Sequence, residues 1–381
     1  KTFMWPKSFW YKIYEPFIRK AAGLGVASTE KDKERYEHKY EYCDLLVAGS
    51  GPAGLSSAYA AAKNGAKVIL AEDKPRFGGS LLTDEVTIDN LSGKAWTDKI
   101  ITELKEMPNV IVKNRSQVFG YYDHNMTVMF ERTGDHLENK PKYTPRQRLW
   151  YIRAKEVLLS TGSIERPIVF GNNDTPGIFL SAAAKEYIKV YGVLVGKKPL
   201  IFTNNDSAYE TALEFKKQGI DPIILDTREE HSSELIDAAK SQNIQIKFSH
   251  AVIAANGYRK VKSAQIGRLN KEKTEFENSE TIECDCICVS GFWTPTVHLA
   301  SQSGNKLKFD DRIDAFVPNK SKQNETSVGS SKGTFTLKET LNDGFKSGFD
   351  LSKKITNNNN SSSIPNSNET KKNPHDKFWC S

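Results

Sequence analysis

The chain has 381 residues, 38% of them hydrophobic, and a mean hydropathy of −0.55, enough for two or three globular domains. Its formal charge of +7 is the balance of 54 basic and 47 acidic residues scattered without a basic stripe, which argues against nucleic acid as a partner and leaves room for an acidic protein. No apolar run approaches the roughly 20 residues of a membrane span, and five cysteines without a framework spacing fit a reducing, cytoplasmic setting.

Residues 1–40 open with a basic, aromatic stretch around Trp5, Pro6, Trp10, Tyr14, Pro16 and Phe17. It has no secretory h-region or cleavage pattern and no initiator Met, so the chain is expected to be a fragment or a processed product. Two prolines among so many aromatics predict an extended arm laid on this chain's body or on a partner.

Residues 45–48 form a short apolar run of the kind a buried parallel strand gives, followed by Gly49-Ser-Gly-Pro-Ala-Gly54 and an Ala-rich helical stretch. In G-x-G-x-x-G the first glycine permits the tight turn, the second lets a pyrophosphate approach the backbone, and the third lets helix and strand pack closely. The helix N-terminus then faces the phosphates. A second apolar run at 67–71 ends at Glu72, about 20 residues on, where an acid accepts from ribose hydroxyls. Gly49, Ser50, Gly51, Pro52, Ala53, Gly54, Glu72 and Asp73 are therefore the expected cofactor contacts, with Gly78, Gly79 and Ser80 of the following glycine pair beside them.

Further along, residues 96–107 read as a helix, and 118–122 and 126–130 as a hairpin around Asp123-His-Asn125. The stretch Val157-Leu-Leu-Ser-Thr-Gly162 repeats the strand-then-glycine pattern and brings Thr161 and Gly162 back past the nucleotide. A second mononucleotide unit starts near Lys198, but its turn is Thr203-Asn-Asn-Asp-Ser207, whose side chains would crowd a pyrophosphate. Residues 281–289 read as one strand carrying Cys284, Cys286 and Cys288 on a single face, buried rather than metal-binding. Two-nucleotide flavoproteins place Gly-Asp near 325–333; here the stretch is Ser327-Val-Gly-Ser-Ser331, which counts against FAD. Residues 335–349 read as a closing helix.

The fold expected is α/β: two Rossmann-like, three-layer dinucleotide-binding domains of the glutathione-reductase, FAD/NAD(P) type, the second inserted and degenerate. The expected organisation is an arm at 1–40, the first domain at 41–195 and 291–354, the inserted domain at 196–290, and a disordered linker at 355–381 leading toward a further domain. No metal cluster is expected. No catalytic constellation emerges, and His124 and His298 are read as loop and helix-start residues rather than bases.

Several stretches carry a resemblance. Tyr14-Glu-Pro-Phe-Ile-Arg19, Phe77-Gly-Gly-Ser-Leu-Leu82, Thr161-Gly-Ser-Ile-Glu-Arg-Pro167, Phe202-Thr-Asn-Asn-Asp-Ser-Ala-Tyr209 and Pro295-Thr-Val-His-Leu299 resemble the alpha subunit of heterotetrameric sarcosine oxidase over essentially the whole chain. The resemblance implies NAD in this chain, held by Gly49, Gly51, Gly54 and Glu72. It implies FAD and FMN in or shared with a beta subunit, gamma and delta subunits as further partners, and tetrahydrofolate at a domain beyond these residues. It also implies oxidative demethylation of sarcosine to glycine, with hydrogen peroxide and either formaldehyde or methylene-tetrahydrofolate. The alternatives are a subunit of an opine or proline dehydrogenase, a stand-alone FAD-dependent NAD(P)H oxidoreductase, and a scaffold that never exchanges its nucleotide. A disulfide reductase would need Cys-x-x-Cys, which the sequence lacks.

Overall fold

A mixed sheet and a parallel sheet, each backed by helices, form the body of the protein in a computed structural model that describes residues 5–26, 28–360, 363–368, 375–376 and 378. The first sheet runs in the order Val110–Lys113, Val68–Ala71, Tyr36–Ala48, Gln147–Leu159, Met126–Arg132, Ser116–Tyr122, with Glu325–Ser327 beside the carboxyl end of Gln147–Leu159. Tyr36–Ala48 and Gln147–Leu159 pair in parallel over their full length. Their carboxyl halves are buried and apolar. The amino half of Tyr36–Ala48 is exposed, with Tyr40 stacked on Tyr151 at 5.0 Å, while Trp150 and Ile152 of the partner strand are buried.

The Ala-rich helix Pro52–Lys63 packs on this sheet, and the helix Leu337–Thr356 packs on it in turn. Small residues set how closely the two helices meet. A Cβ on Gly344 would lie 2.2 Å from the Ala53 carbonyl oxygen, and one on Gly348 would lie 2.3 Å from that of Ser57. The Ser56 hydroxyl donates to the Leu341 carbonyl across the same seam at 2.9 Å.

The second sheet is parallel throughout, in the order Ile178–Leu180, Cys286–Ser290, Pro199–Thr203, Ile223–Asp226, Gln245–Phe248. Ile178–Leu180 and the helix Ser181–Tyr191 belong with it, so this unit reaches back past the expected boundary at residue 196. An antiparallel sheet of His250–Asn256, Ser263–Leu269 and Phe276–Glu283 packs beside it. The chain passes between the two units along Ser163–Glu165 and Trp293–Pro295, which pair with each other.

Three expectations need correction. The run 281–289 is not one strand: it breaks at Cys284 and Asp285, where the Asp285 carboxylate accepts from the Lys197 and Lys198 amides. Cys284 and Cys288 therefore sit in different cores. The arm is helical rather than extended over Lys7–Ala21, because Pro16 falls at the start of a helix, where a missing N–H costs nothing. The tail is not a free linker where it is described. Asn366 and Asn368 bond the backbone of Thr87 and Asp89, and Phe378 is buried in the core of the second unit. Among the described residues no helix is long and apolar enough to cross a membrane.

Candidate nucleotide site

The site forms where Tyr36–Ala48 ends and Pro52–Lys63 begins. Gly49 takes φ of 104°, and a Cβ there would stand 2.3 Å from the Ser160 carbonyl oxygen. A Cβ on Gly54 would stand 1.9 Å from the Gly49 carbonyl oxygen. Both glycines are thus demanded by the protein's own packing. Gly51 is different. Its φ is −67°, which any residue adopts, and a Cβ there would meet nothing within 4 Å. The fold leaves that side open, where a pyrophosphate would approach.

Glu72 lies just past Val68–Ala71, and its buried carboxylate accepts from the Ser50 amide at 2.9 Å, the Ser50 hydroxyl at 2.5 Å and the Lys74 amide at 3.0 Å. Burial, with Asp73 alongside, pushes its pKa up to about 7. Gly78 and Gly79 lie over the turn: the Gly78 amide donates to the Ser50 carbonyl at 3.1 Å, and both glycines have positive φ. Ser80 and Asp73 are exposed at the rim. Thr161 and Gly162 follow the carboxyl end of Gln147–Leu159, where the Thr161 hydroxyl donates to the Thr296 carbonyl at 2.9 Å. Pro52 and Ala53 start the helix.

Residues outside the motif complete the cradle. The Ser160 hydroxyl faces the Ala48 and Gly49 carbonyls at 3.0 and 2.8 Å, pinning the turn. Gly329, at φ of 66°, lies against Ala53, and its amide donates to Asp343 at 2.8 Å. The Ser331 hydroxyl ties this loop to Leu159 at 3.0 Å. Ser160 carries no motif signal. The Val328-Gly329 loop does, but lacks the Asp that draws attention to it.

Just beyond the site, Glu165 is buried and accepts from the Ala182 amide at 2.7 Å, at the start of Ser181–Tyr191. Burial raises its pKa to about 7, against the pull of Ser290, the Ala182 amide and Lys185. The Arg166 guanidinium reaches the carbonyls of Gly291, Asp314 and Ile313. Lys185 spans the two units, donating to Asp84 at 2.7 Å and Glu210 at 2.6 Å. Burial opposes its charge, but the two acids hold its pKa above the ordinary lysine value.

The second turn is self-filled. The Asn205 amide group donates to the Asn204 side chain at 3.0 Å and the Ser290 carbonyl at 3.1 Å, while its oxygen accepts from the Ser207 amide at 3.0 Å. The Asn205 amide N–H in turn donates to the Thr203 hydroxyl at 3.1 Å. Asp226 stands where Glu72 stands in the first unit, and it accepts from Tyr209 at 2.7 Å and from Arg228 at 3.0 and 2.7 Å. Among the described residues no group of three or more His, Cys, Asp or Glu side chains is placed to hold a metal.

Residues 43–328 match the family described as pyridine nucleotide-disulphide oxidoreductase. The chain belongs to that family. The resemblance to the sarcosine oxidase alpha chain is borne out as well. This protein is 37% identical over 345 residues to the sarcosine oxidase alpha subunit of Rhizobium meliloti (strain 1021), covering 90% of this chain and 34% of that protein. It is 34% identical over 326 residues to its counterpart in Corynebacterium sp. (strain P-1), covering 84% and 34%. It therefore spans about a third of the length of these curated relatives. An opine oxidase subunit from Agrobacterium tumefaciens (strain Ach5) is 24% identical over 306 residues, covering 73% of this chain and 58% of that protein. Among solved structures, L-proline dehydrogenase from P. horikoshii is similar with a TM-score of 0.63 at 20% identity, covering 87% and 58%. The thioredoxin reductase of T. acidophilum is similar with a TM-score of 0.62 at 16% identity, covering 82% and 99%. These two likenesses establish the fold that the family shares.

Proposed function

We propose that this chain is the nucleotide-binding part of a secondary-amine-oxidising complex of the sarcosine oxidase type. It holds one dinucleotide, NAD, in the Gly49–Gly54 cradle. The observation that carries this reading is Gly51: neither its backbone angles nor its neighbours require glycine, so the residue keeps space for something outside the protein. Glu72 would take the ribose hydroxyls, and the N-terminus of Pro52–Lys63 would face the phosphates. A bound NAD supplies a hydride acceptor, or it stabilises the fold by binding only the native state. The protein's own part is to fix the turn through Ser160, Gly78 and Gly329.

NAD is favoured over FAD because Ser330 stands after Gly329, where a two-nucleotide flavoprotein carries Asp. In this reading sarcosine is oxidised at FAD in a beta subunit, with FMN near the interface and gamma and delta subunits completing the assembly. The folate chemistry belongs to a domain beyond these residues. The similarity to opine oxidase and to L-proline dehydrogenase favours a second reading in which the amine is an opine or proline.

The test is to denature the purified chain, record the visible spectrum of the released fraction and assay it enzymatically for NAD. NAD near one per chain without flavin absorbance supports the proposal. Stoichiometric FAD would replace it with a stand-alone flavoprotein reductase.

A further inference from the structure

We infer that the second dinucleotide fold has become a binding crevice for the chain's own tail, with His375, Asp376 and Phe378 seated where a second nucleotide would lie. In an open parallel sheet the ligand crevice lies outside the carboxyl ends of the strands, where the strand order reverses. In the second sheet that point lies between Pro199–Thr203 and Cys286–Ser290, since the chain goes from Pro199–Thr203 outward to Ile223–Asp226 and later returns on the other side. Just past these two ends stand Asn204 and Phe292, and both hold the tail.

The Asp376 amide donates to the Asn204 carbonyl at 3.0 Å, and the Asn204 side-chain amide donates to the Asp376 carbonyl at 2.9 Å. This reciprocal pair fastens the tail backbone to the turn that would otherwise cradle a pyrophosphate. The His375 ring stacks on Phe292 with centroids 4.1 Å apart and planes 11° apart, and its Nε2 lies 3.2 Å from Asp314. Lys273 pairs with Asp376, and Phe378 is 4% exposed in the core that includes Phe202, Leu225 and Val289. Phe292 itself has φ of 78°. A bulky side chain holds that backbone only where its surroundings over-determine it, and the stacked His375 is one of those surroundings.

Side chains within the turn complete the exclusion. Asn205 and Asp226 use their polar atoms on Ser290, Ser207, Tyr209 and Arg228. The turn's polar groups are thus spent on one another and on the tail backbone, and the Thr203-Asn-Asn-Asp-Ser-Ala-Tyr209 stretch is built for a peptide rather than a phosphate. The inference does not depend on which dinucleotide the Gly49–Gly54 cradle holds.

The experiment is hydrogen–deuterium exchange on the full chain, as purified and with saturating NAD or NADP, beside the His375→Ala/Phe378→Ala double variant. Expected is exchange at the Asp376 amide, bonded to Asn204, at least about tenfold slower than in an unstructured peptide, unchanged by either nucleotide. In the double variant the tail exchanges freely and the 204–207 turn exchanges faster, with the melting temperature showing that the body stays folded. Tail amides exchanging at the unstructured rate in the unmodified chain would overturn the inference. Release of the tail by NAD or NADP would overturn it too, by showing that the crevice still takes a nucleotide. Loss of NAD binding at Gly49–Gly54 alone would leave it intact and count only against the proposed function.

Discussion

Replacing Gly344 by Ala tests whether the two-helix seam sets the geometry of the nucleotide turn. The new Cβ would sit 2.2 Å from the Ala53 carbonyl oxygen, and ordinary contact begins at 3.4 Å. The helices must therefore part by roughly 1 Å, since both sides of the contact are backbone and cannot rotate away. Overpacking of this kind costs about 1–3 kcal/mol. Stretching the buried Ser56–Leu341 hydrogen bond costs about 1 kcal/mol more. Ala regains about 1 kcal/mol of helix propensity over Gly. The expected net loss is about 2 kcal/mol. Urea unfolding of Gly344→Ala beside Lys346→Ala, an exposed position on the same helix, reads it directly. Because Ala53 starts the helix that carries the phosphate-facing turn, NAD affinity should fall with stability. Gly344→Ala as stable as Lys346→Ala, or more stable, would refute the reasoning.

Two further outcomes follow from the buried charges. Glu165 has a folded pKa raised from 4.5 to about 7, so the native state holds its proton where the unfolded chain has released it. Its contribution to stability is therefore present below about pH 4.5 and is lost as pH rises to about 7, by up to roughly 3 kcal/mol. The stability of Glu165→Gln relative to wild type should rise over that window, read from urea midpoints at pH 5 and pH 8; a constant difference would count against the burial argument. Lys185→Met leaves Asp84 and Glu210 without their shared cation. It should cost about 3 kcal/mol, the lower end for a broken buried pair, because each acid keeps 21% side-chain exposure. A loss below about 1 kcal/mol in denaturant titrations, the level of a surface pair, would show that Lys185 does not tie the two units together.

The first nucleotide turn was legible because its chemistry is local: glycines, an apolar strand before, a helix after and an acid at the next strand end all lie within one short stretch. The degenerate second turn was legible for the same reason, since Thr203 and Asn205 stand where glycines belong. What fills it was not. Tyr209 meets Asp226, Arg228 folds back on the same carboxylate, and the tail arrives from far along the chain. Such pairings leave no periodicity or spacing. The polar amino half of Tyr36–Ala48 was invisible for another reason: a strand segment exposed on both faces lacks the apolar alternation that marks a strand. The break at Cys284–Asp285 escaped notice because apolar and thiol residues continue across it, and only the Asp285 bonds to Lys197 and Lys198 end the strand.

The most direct test of the account is calorimetric titration of NAD into the nucleotide-stripped chain and into Gly51→Val. Gly51 has an ordinary φ and open space around an added Cβ, so the valine should leave the chain folded, at the cost of about 1 kcal/mol for a poorer N-cap, and close the pyrophosphate approach. One NAD per wild-type chain, and at least about a hundredfold weaker binding to the variant, roughly 2.7 kcal/mol, is the result the account predicts. Undiminished binding by a well-folded Gly51→Val, or two equivalents bound by the wild type, would contradict it.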